Sequence, residues 1–301
     1  MTLEQLRIFV AVAEKQHVTQ AARELNLTQS ATSAAVAALE ARYGIRLFDR
    51  VGRGIVLTQT GHIFLGEARG VLARARSAEQ ALHDLAGLKT GKLTLASSQT
   101  VANYWLPPRL QAFQAAYPGI EVSVRISNTE RVASDVRDGT ADIGFVEGEI
   151  DDGALAVRRL DGDALVIVVG PRHPFARQRK LPPDWMTRTS WILRESGSGT
   201  RAMLEAALKK RGLKLADLNV QLVLASNEAI RSAVEAGTSA AAISNLVVEK
   251  AIATKTLFRL EGEFAQRSFY AIRHKERHVS KAEAALMSRV VGQRAASPQV
   301  L

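Results

Sequence analysis

The sequence contains no cysteine. That removes disulfides, thiolate zinc sites, iron–sulfur clusters and thiol redox sensing from consideration. Histidine is also scarce, at positions 17, 62, 83, 173, 274 and 278. The one His-x-x-x-His pair, His274 and His278, lies among Arg273, Lys275 and Arg277 in a basic stretch, so no metal site and no cofactor are expected. Aromatic residues make up 5% of the chain. No apolar run approaches the roughly 18 residues of a membrane span; the longest strand-like run is Ala164 to Val169. The start, Met1-Thr2-Leu3-Glu4-Gln5, lacks the basic residues and apolar stretch of a signal peptide. The expectation is a soluble, cytoplasmic protein without membrane contact.

What is present is an ordinary hydrophobic fraction of 47% over 301 residues. This excludes global disorder and suggests two or three domains. Basic residues number 40 against 30 acidic ones, a formal charge of +10 that invites a polyanionic partner. The excess is unevenly spread. Residues 1–61 hold 7 basic and 5 acidic side chains, whereas residues 161–301 hold 22 and 13. Bulk charge therefore does not locate a nucleic-acid site, and motifs must.

The first 60 residues read as helices in quick succession. Thr2 with Gln5 has the form of a capping box, and Leu3, Leu6, Phe9, Val10 and Ala13 share one face of a helix to about Lys15. Thr19 can cap a short helix from Gln20 to Leu25, with His17 in a solvated turn. Thr28 can cap a third helix to about Tyr43, closed by Gly44. Ile45–Arg50 and Ile55–Thr58 flank Gly52-Arg53-Gly54 and predict a hairpin wing. From Gln59 to about Leu88 the residues Phe64, Ala68, Val71, Ala75, Ala78, Leu82 and Leu85 keep heptad a/d spacing. That predicts a rod of about 45 Å that pairs with a second copy.

Beyond Gly91 strand-like and helical stretches alternate: Lys92–Ala96, Trp105–Tyr117, Glu121–Ser127, Arg131–Arg137 and Ala141–Val146. A second series runs Ala164–Val169, Trp191–Leu193, Thr200–Lys210, Val220–Leu224, Ala229–Ala236 and Ala240–Ile243. Ser268–Arg273 and Lys281–Val291 close the chain. The pattern predicts parallel sheets flanked by helices, in two α/β subdomains with a cleft between them. The boundaries drawn are 1–61, 62–90 and 91–301. Within the last, subdomain I is 91–161 plus 266–301 and subdomain II is 162–265.

Two helices joined by a tight turn form a helix-turn-helix pattern. The second begins Thr28-Gln29-Ser30-Ala31-Thr32-Ser33, and its Gln29, Ser30, Thr32 and Ser33 suit base edges and phosphates. Ala31, Ala35, Ala38 and Leu39 are expected to face the core. The stretches Thr19-Gln20-Ala21-Ala22-Arg23-Glu24-Leu25, Thr28 to Ser33, Leu47-Phe48-Asp49-Arg50 and Leu57-Thr58-Gln59-Thr60-Gly61 resemble the DNA-binding region of LysR-type transcriptional regulators. The resemblance implies an all-α winged helix-turn-helix, a long dimerising linker helix and a periplasmic-binding-protein-like α/β effector domain. It further implies a homodimer assembling to a homotetramer on double-stranded promoter DNA, which it binds and bends. Gln29, Ser30, Thr32 and Ser33 would then face the major groove, and Arg50 and Arg53 would hold the backbone or minor groove. Where many members carry Arg or Gln after the serine that matches Ser33, this chain has Ala34 and Ala35.

Three turns have the chemistry of anion sites at helix N-termini: Ser97-Ser98-Gln99-Thr100, Ser196-Gly197-Ser198-Gly199-Thr200-Arg201 and Ser226-Asn227-Glu228. Candidate effector ligands are Ser98, Thr100, Asn128, Thr129, Ser196, Ser198, Thr200 and Arg201. Arg201 either completes the anion site or pairs with a carboxylate on its own helix. The run Arg194 to Arg201 also resembles the members that govern sulfur assimilation and carbon fixation. That implies a small oxyanion such as sulfite or sulfate, or a phosphorylated metabolite. An enzyme is the chief rival, but no catalytic residue is assigned: no lysine follows Gly199 as a phosphate-binding loop requires. A solute-binding protein would leave residues 1–88 unexplained.

Overall fold

A computed structural model of the chain describes residues 1–52, 54–86, 91–148, 150–178, 180–260 and 264–292. They fall into two compact units, Met1–Gly87 with Arg137–Thr140, and Leu88–Val136 with Ala141–Leu301. No helix among the described residues is long and apolar enough to cross a membrane.

In the first unit, α1 (Leu3–Lys15) starts with a complete capping box. The Gln5 amide donates to Thr2 Oγ1 at 3.1 Å and the Thr2 amide to Gln5 Oε1 at 3.0 Å. Gln16 ends it in the left-handed region at φ 47°. The turn is thereby completed early, and α2 (Val18–Glu24) is capped by His17 rather than Thr19. His17 Nδ1 accepts from the Gln20 amide, so this histidine has a structural task. Asn26, at φ 56°, makes the break before α3 (Gln29–Tyr43), which Thr28 caps and Gly44 closes at φ 63°. β1 (Phe48–Val51) and β2 (Gly54–Leu57) form the antiparallel wing. Glu40 Oε1 ties its base to α3 by accepting from the amides of Leu47 and Phe48, at 2.7 and 3.2 Å.

The 28-residue α4 (Gln59–Ala86) supplies Phe64, Ala68 and Leu72 to the core formed by Leu6, Phe9, Leu39 and Leu47. The Phe9 and Phe64 ring centroids lie 4.8 Å apart. Phe64 and Ala68 are thus committed to their own unit. The heptad positions exposed farther along are Val71, Ala78, Leu82 and Leu85, the last two 69% and 85% accessible. The end of the expected linker, residues 87–90, lies outside the described residues.

The second unit runs β3 (Gly91–Ser98), a π-helical turn at Val101–Trp105, α5 (Pro107–Ala116), β4 (Ile120–Ser127), α6 (Thr129–Arg137), β5 (Ile143–Glu147) and β6 (Leu155–Val169). It continues with α7 (Trp185–Arg188), β7 (Ser190–Arg194), α8 (Gly199–Lys210), β8 (Asn219–Leu224), α9 (Asn227–Ala236), β9 (Ala240–Ser244), α10 (Asn245–Ala253), β10 (Phe258–Arg259), β11 (Ala265–His274) and α11 (Lys281–Gly292). The sheet order is β4-β3-β5-β11-β6-β9-β7-β8, with β10 against β6.

The sheet is mixed, not parallel throughout. β3 runs parallel to β4 and β5, and β7 parallel to β8 and β9. β6 and β11 are antiparallel to each other and to their outer neighbours. These two strands are long enough to serve both halves of the unit. They pair from Leu155 to Arg159 in one half and from Gly162 to Leu165 in the other, across a register irregularity between Ser268 and Tyr270. Gly162 sits at the crossing, where a Cβ would collide with the Arg267 carbonyl. One half buries Leu93, Leu95, Phe113, Phe145 and Leu286. The other buries Leu165, Ile167, Trp191 and Leu204 on one face and Ile230, Ile243 and Val247 on the other.

Candidate functional site

At the start of α3, Gln29, Ser30 and Ser33 are exposed. Thr32 is not: its side chain is fully buried and Oγ1 donates to the Thr28 carbonyl at 3.0 Å. The inward face is Thr32, Ala35, Val36 and Leu39, with Ala31 and Ala38 at the surface. The expected core face is therefore displaced, because Thr28 fixes the helix start and brings Thr32 round to the interior. Thr32 is therefore withdrawn from the surface, where Gln29, Ser30 and Ser33 remain. Arg50 on β1 is exposed, with no hydrogen-bond or ion-pair partner among the described residues. Arg53 lies outside the described residues.

In the second unit, the end of β3, the end of β5, and the starts of α6 and α8 bring a buried polar cluster together. Glu147 is its centre, 1% exposed. Ser98 Oγ donates to Glu147 Oε2, and Thr129 Oγ1 to the Glu147 carbonyl at 3.1 Å. α8 can begin here only because residue 199 is glycine, since a Cβ would collide with the Glu147 carbonyl. Arg267 on β11 is wholly buried. Nε and Nη2 donate to Asp163, and Nη1 to Thr200 Oγ1 at 3.0 Å, with Glu147 Oε1 3.8 Å from Nη1. Burial works against this guanidinium's charge. The hydrogen bonds to Asp163 and the charges of Glu147 and Asp163 outweigh it and hold the pKa above its ordinary value.

A second chain of bonds lies beside the first. Arg194 Nη1 donates to Asn227 Oδ1 at 2.6 Å, and Asn227 Nδ2 to Thr100 Oγ1 at 3.1 Å. Arg194 also forks onto Glu195, at 2.8 and 3.0 Å. Burial alone would raise the Glu195 carboxyl, but the Arg194 contact prevails and lowers its pKa. Asn128 Nδ2 donates to Glu195 Oε1 and to the Ser196 carbonyl, at 3.3 and 3.4 Å, so it braces the turn. Ser196 is exposed. Arg201 takes the second of its two expected roles: Nε donates to Glu205 Oε1 at 2.9 Å on the same helix, and Nη1 to the Arg194 carbonyl.

The hydroxyls of this cluster differ in what they have left to give. Thr100 and Thr200 each accept from a protein donor, which leaves their own protons to give. Ser98 spends its proton on Glu147. Ser198 Oγ is buried, 2% exposed, and has no hydrogen-bond partner among the described residues. A buried hydroxyl without a partner costs about 1–3 kcal/mol until something accepts from it. It caps α8, whose first turn adds unpaired backbone N–H groups. Glu147, Asp163 and Arg267 carry no local sequence signal: Arg267 and Asp163 are 104 residues apart.

Residues 3–62 match the family model for bacterial regulatory helix-turn-helix proteins of the lysR family, and residues 86–294 that for the LysR substrate binding domain. A probable RuBisCO transcriptional regulator of Thalassiosira pseudonana is 33% identical over 288 residues, 93% of this chain and 94% of that protein. Among solved structures, full-length CbnR complexed with its target DNA gives a TM-score of 0.67 at 23% identity, covering 96% of this chain and 99% of that one. The regulatory domain of Synechocystis CcmR in complex with 2-PG gives 0.61 at 25% identity, covering 67% and 97%.

Proposed function

We infer from the LysR family, to which this chain belongs, that its promoter binding or bending is set by a small anion held in the buried cleft of the second unit. The protein is a DNA-binding transcriptional regulator with an effector-binding domain, not an enzyme. The observation that carries the effector reading is Ser198, an unpartnered buried donor at the head of α8. Thr100 and Thr200 supply further donors. Two guanidinium groups face three carboxylates, so the cleft attracts by hydrogen bonds more than by net charge.

Glu147 narrows the class. A buried acceptor repels a fully deprotonated anion but welcomes one that brings a proton. Hydrogen sulfite or a hydrogen phosphate ester therefore suits this cleft better than sulfate. The CcmR domain bound to 2-PG, an anionic metabolite, points the same way. On the DNA side, Gln29, Ser30 and Ser33 read the major groove, and Arg50 and Arg53 hold the backbone from the wing. Two chains pair along the exposed α4 positions Val71, Ala78, Leu82 and Leu85, and the dimers assemble to a tetramer in the cytoplasm. The test is thermal-shift titration of the intact protein with sulfite, sulfate, phosphate, 2-PG and an uncharged sugar. A response to proton-bearing oxyanions that Ser198→Ala removes supports the reading. A response to the sugar alone overturns it.

A further inference from the structure

Away from the cleft, and sharing no residue with it, the second unit contains a cavity of about 560 Å³ between α11 and the β6–β11 pair. That volume lies within the range of about 300–1,000 Å³ typical of small-ligand sites. Its walls are largely apolar, lined by Ile143, Ala271, Val279, Met287 and Val291. Val279 and Val291 are each 39% exposed at its rim.

The polar groups are few and asymmetrically placed. Arg158 pairs with Ala271 and Arg273 with Ala156. This sets the two arginines on one face of the sheet, a diagonal step of about 7–8 Å apart. Arg158 is exposed and has no hydrogen-bond or ion-pair partner among the described residues. Arg273 Nη1 donates to the His274 carbonyl, leaving its other guanidinium protons to give. On the opposite wall stands Glu283, 5% exposed. Burial pushes its carboxyl up to about 7, against the pull of Arg273 and with a push from Asp142. In its protonated form this carboxyl offers a proton rather than a competing charge.

We propose that this cavity is a second ligand site, for an organic monocarboxylate with an apolar body, its carboxylate forked by Arg158 and Arg273. The apolar body replaces water along Ala271 and Met287, and each buried methylene contributes about 0.8 kcal/mol. Paired guanidinium donors match the planar acceptor. A phosphorylated or multiply charged ligand would have to desolvate its remaining charge against the apolar walls, so the class differs from that of the cleft.

Calorimetric titration of the intact protein with octanoate tests this, with octanol as the uncharged control. Binding of octanoate is expected, at least tenfold tighter than octanol, and weakened at least tenfold by Arg158→Ala. Arg158 is exposed, so this variant folds. Met287→Trp, which fills the cavity, should abolish binding, whereas Ser198→Ala should leave it unchanged. Absence of octanoate binding, equal binding of octanol, or indifference to both Arg158→Ala and Met287→Trp overturns the proposal. Loss of octanoate binding in Ser198→Ala with retention in Met287→Trp would move the carboxylate to the cleft and also overturns it.

Discussion

At the start of α3 stand Thr28, Gln29, Ser30 and Ser33, all at the surface; at the start of α8 stand Ser198, Gly199 and Thr200, all inside. The residue types are nearly the same, and both helices are entered through a capping position. What separates them is the chain before. α3 follows a tight turn off a seven-residue helix, with nothing over its first turn. α8 follows a strand of the sheet, and the Glu147 carbonyl lies against Gly199. Exposed hydroxyls trade one hydrogen bond with water for another, so they discriminate by geometry and contribute little affinity. Buried ones have already lost their water, and an unpaired donor there favours whatever ligand restores the bond.

The contrast is broken most directly at Arg267. Arg267→Met leaves Asp163 and Glu147 buried without their cation and should cost about 3–5 kcal/mol of stability. Denaturant unfolding followed in the second unit would read this, and an unchanged midpoint would mean that α8 is not anchored from inside. Next in size is Gln29→Ala. Competition gel shifts should show the preference between operator variants reduced by about 1–3 kcal/mol, with Tm unaltered. A uniform loss over all sequences would instead make Gln29 a backbone contact. Arg50→Ala supplies that uniform case, and the salt slope of binding should fall by about one unit.

The smallest effect sharpens the comparison within a single residue type. Thr32→Ala removes a bond to the Thr28 carbonyl and should cost about 1 kcal/mol, leaving operator preference intact. Ser198→Ala removes a hydroxyl without a partner and should leave the apo stability equal or slightly higher while the oxyanion response is lost. A drop in stability in Ser198→Ala without a change in response would reverse the roles assigned to the two helix starts.

The helix-turn-helix was legible because its signals are local. Thr2 with Gln5, Thr28 and Gly44 each act within one or two turns. Even so, the inward face of α3 was displaced, since Thr32 can satisfy its hydroxyl on its own backbone and pack its methyl inside. His17 passed for a turn residue because imidazole is an uncommon cap. In the effector region the Ser/Thr turns stood out, but the charges that organise them did not. Glu147, Asp163 and Arg267 meet through the sheet order, which no local spacing encodes. The first part of β6 was missed for a related reason: Arg158 and Arg159 interrupt its apolar pattern, though the backbone pairs with β11 from Leu155 to Arg159 and again from Gly162. α10 went unread because Val247 and Val248 favour strands, yet both are buried against β6 and β9 as helix residues.

β6 and β11 set the mechanics of the cleft. A hinge made of loose loops lets two lobes swing apart freely, as a door does. Here the lobes are joined by a hydrogen-bonded ribbon that passes through both, pinched at Gly162. Opening or closing must wind or unwind that ribbon, so displacement is resisted in proportion to its size and reverses when the load is removed. Under the proposed function, an anion bound beside Thr200 would work against a torsion spring.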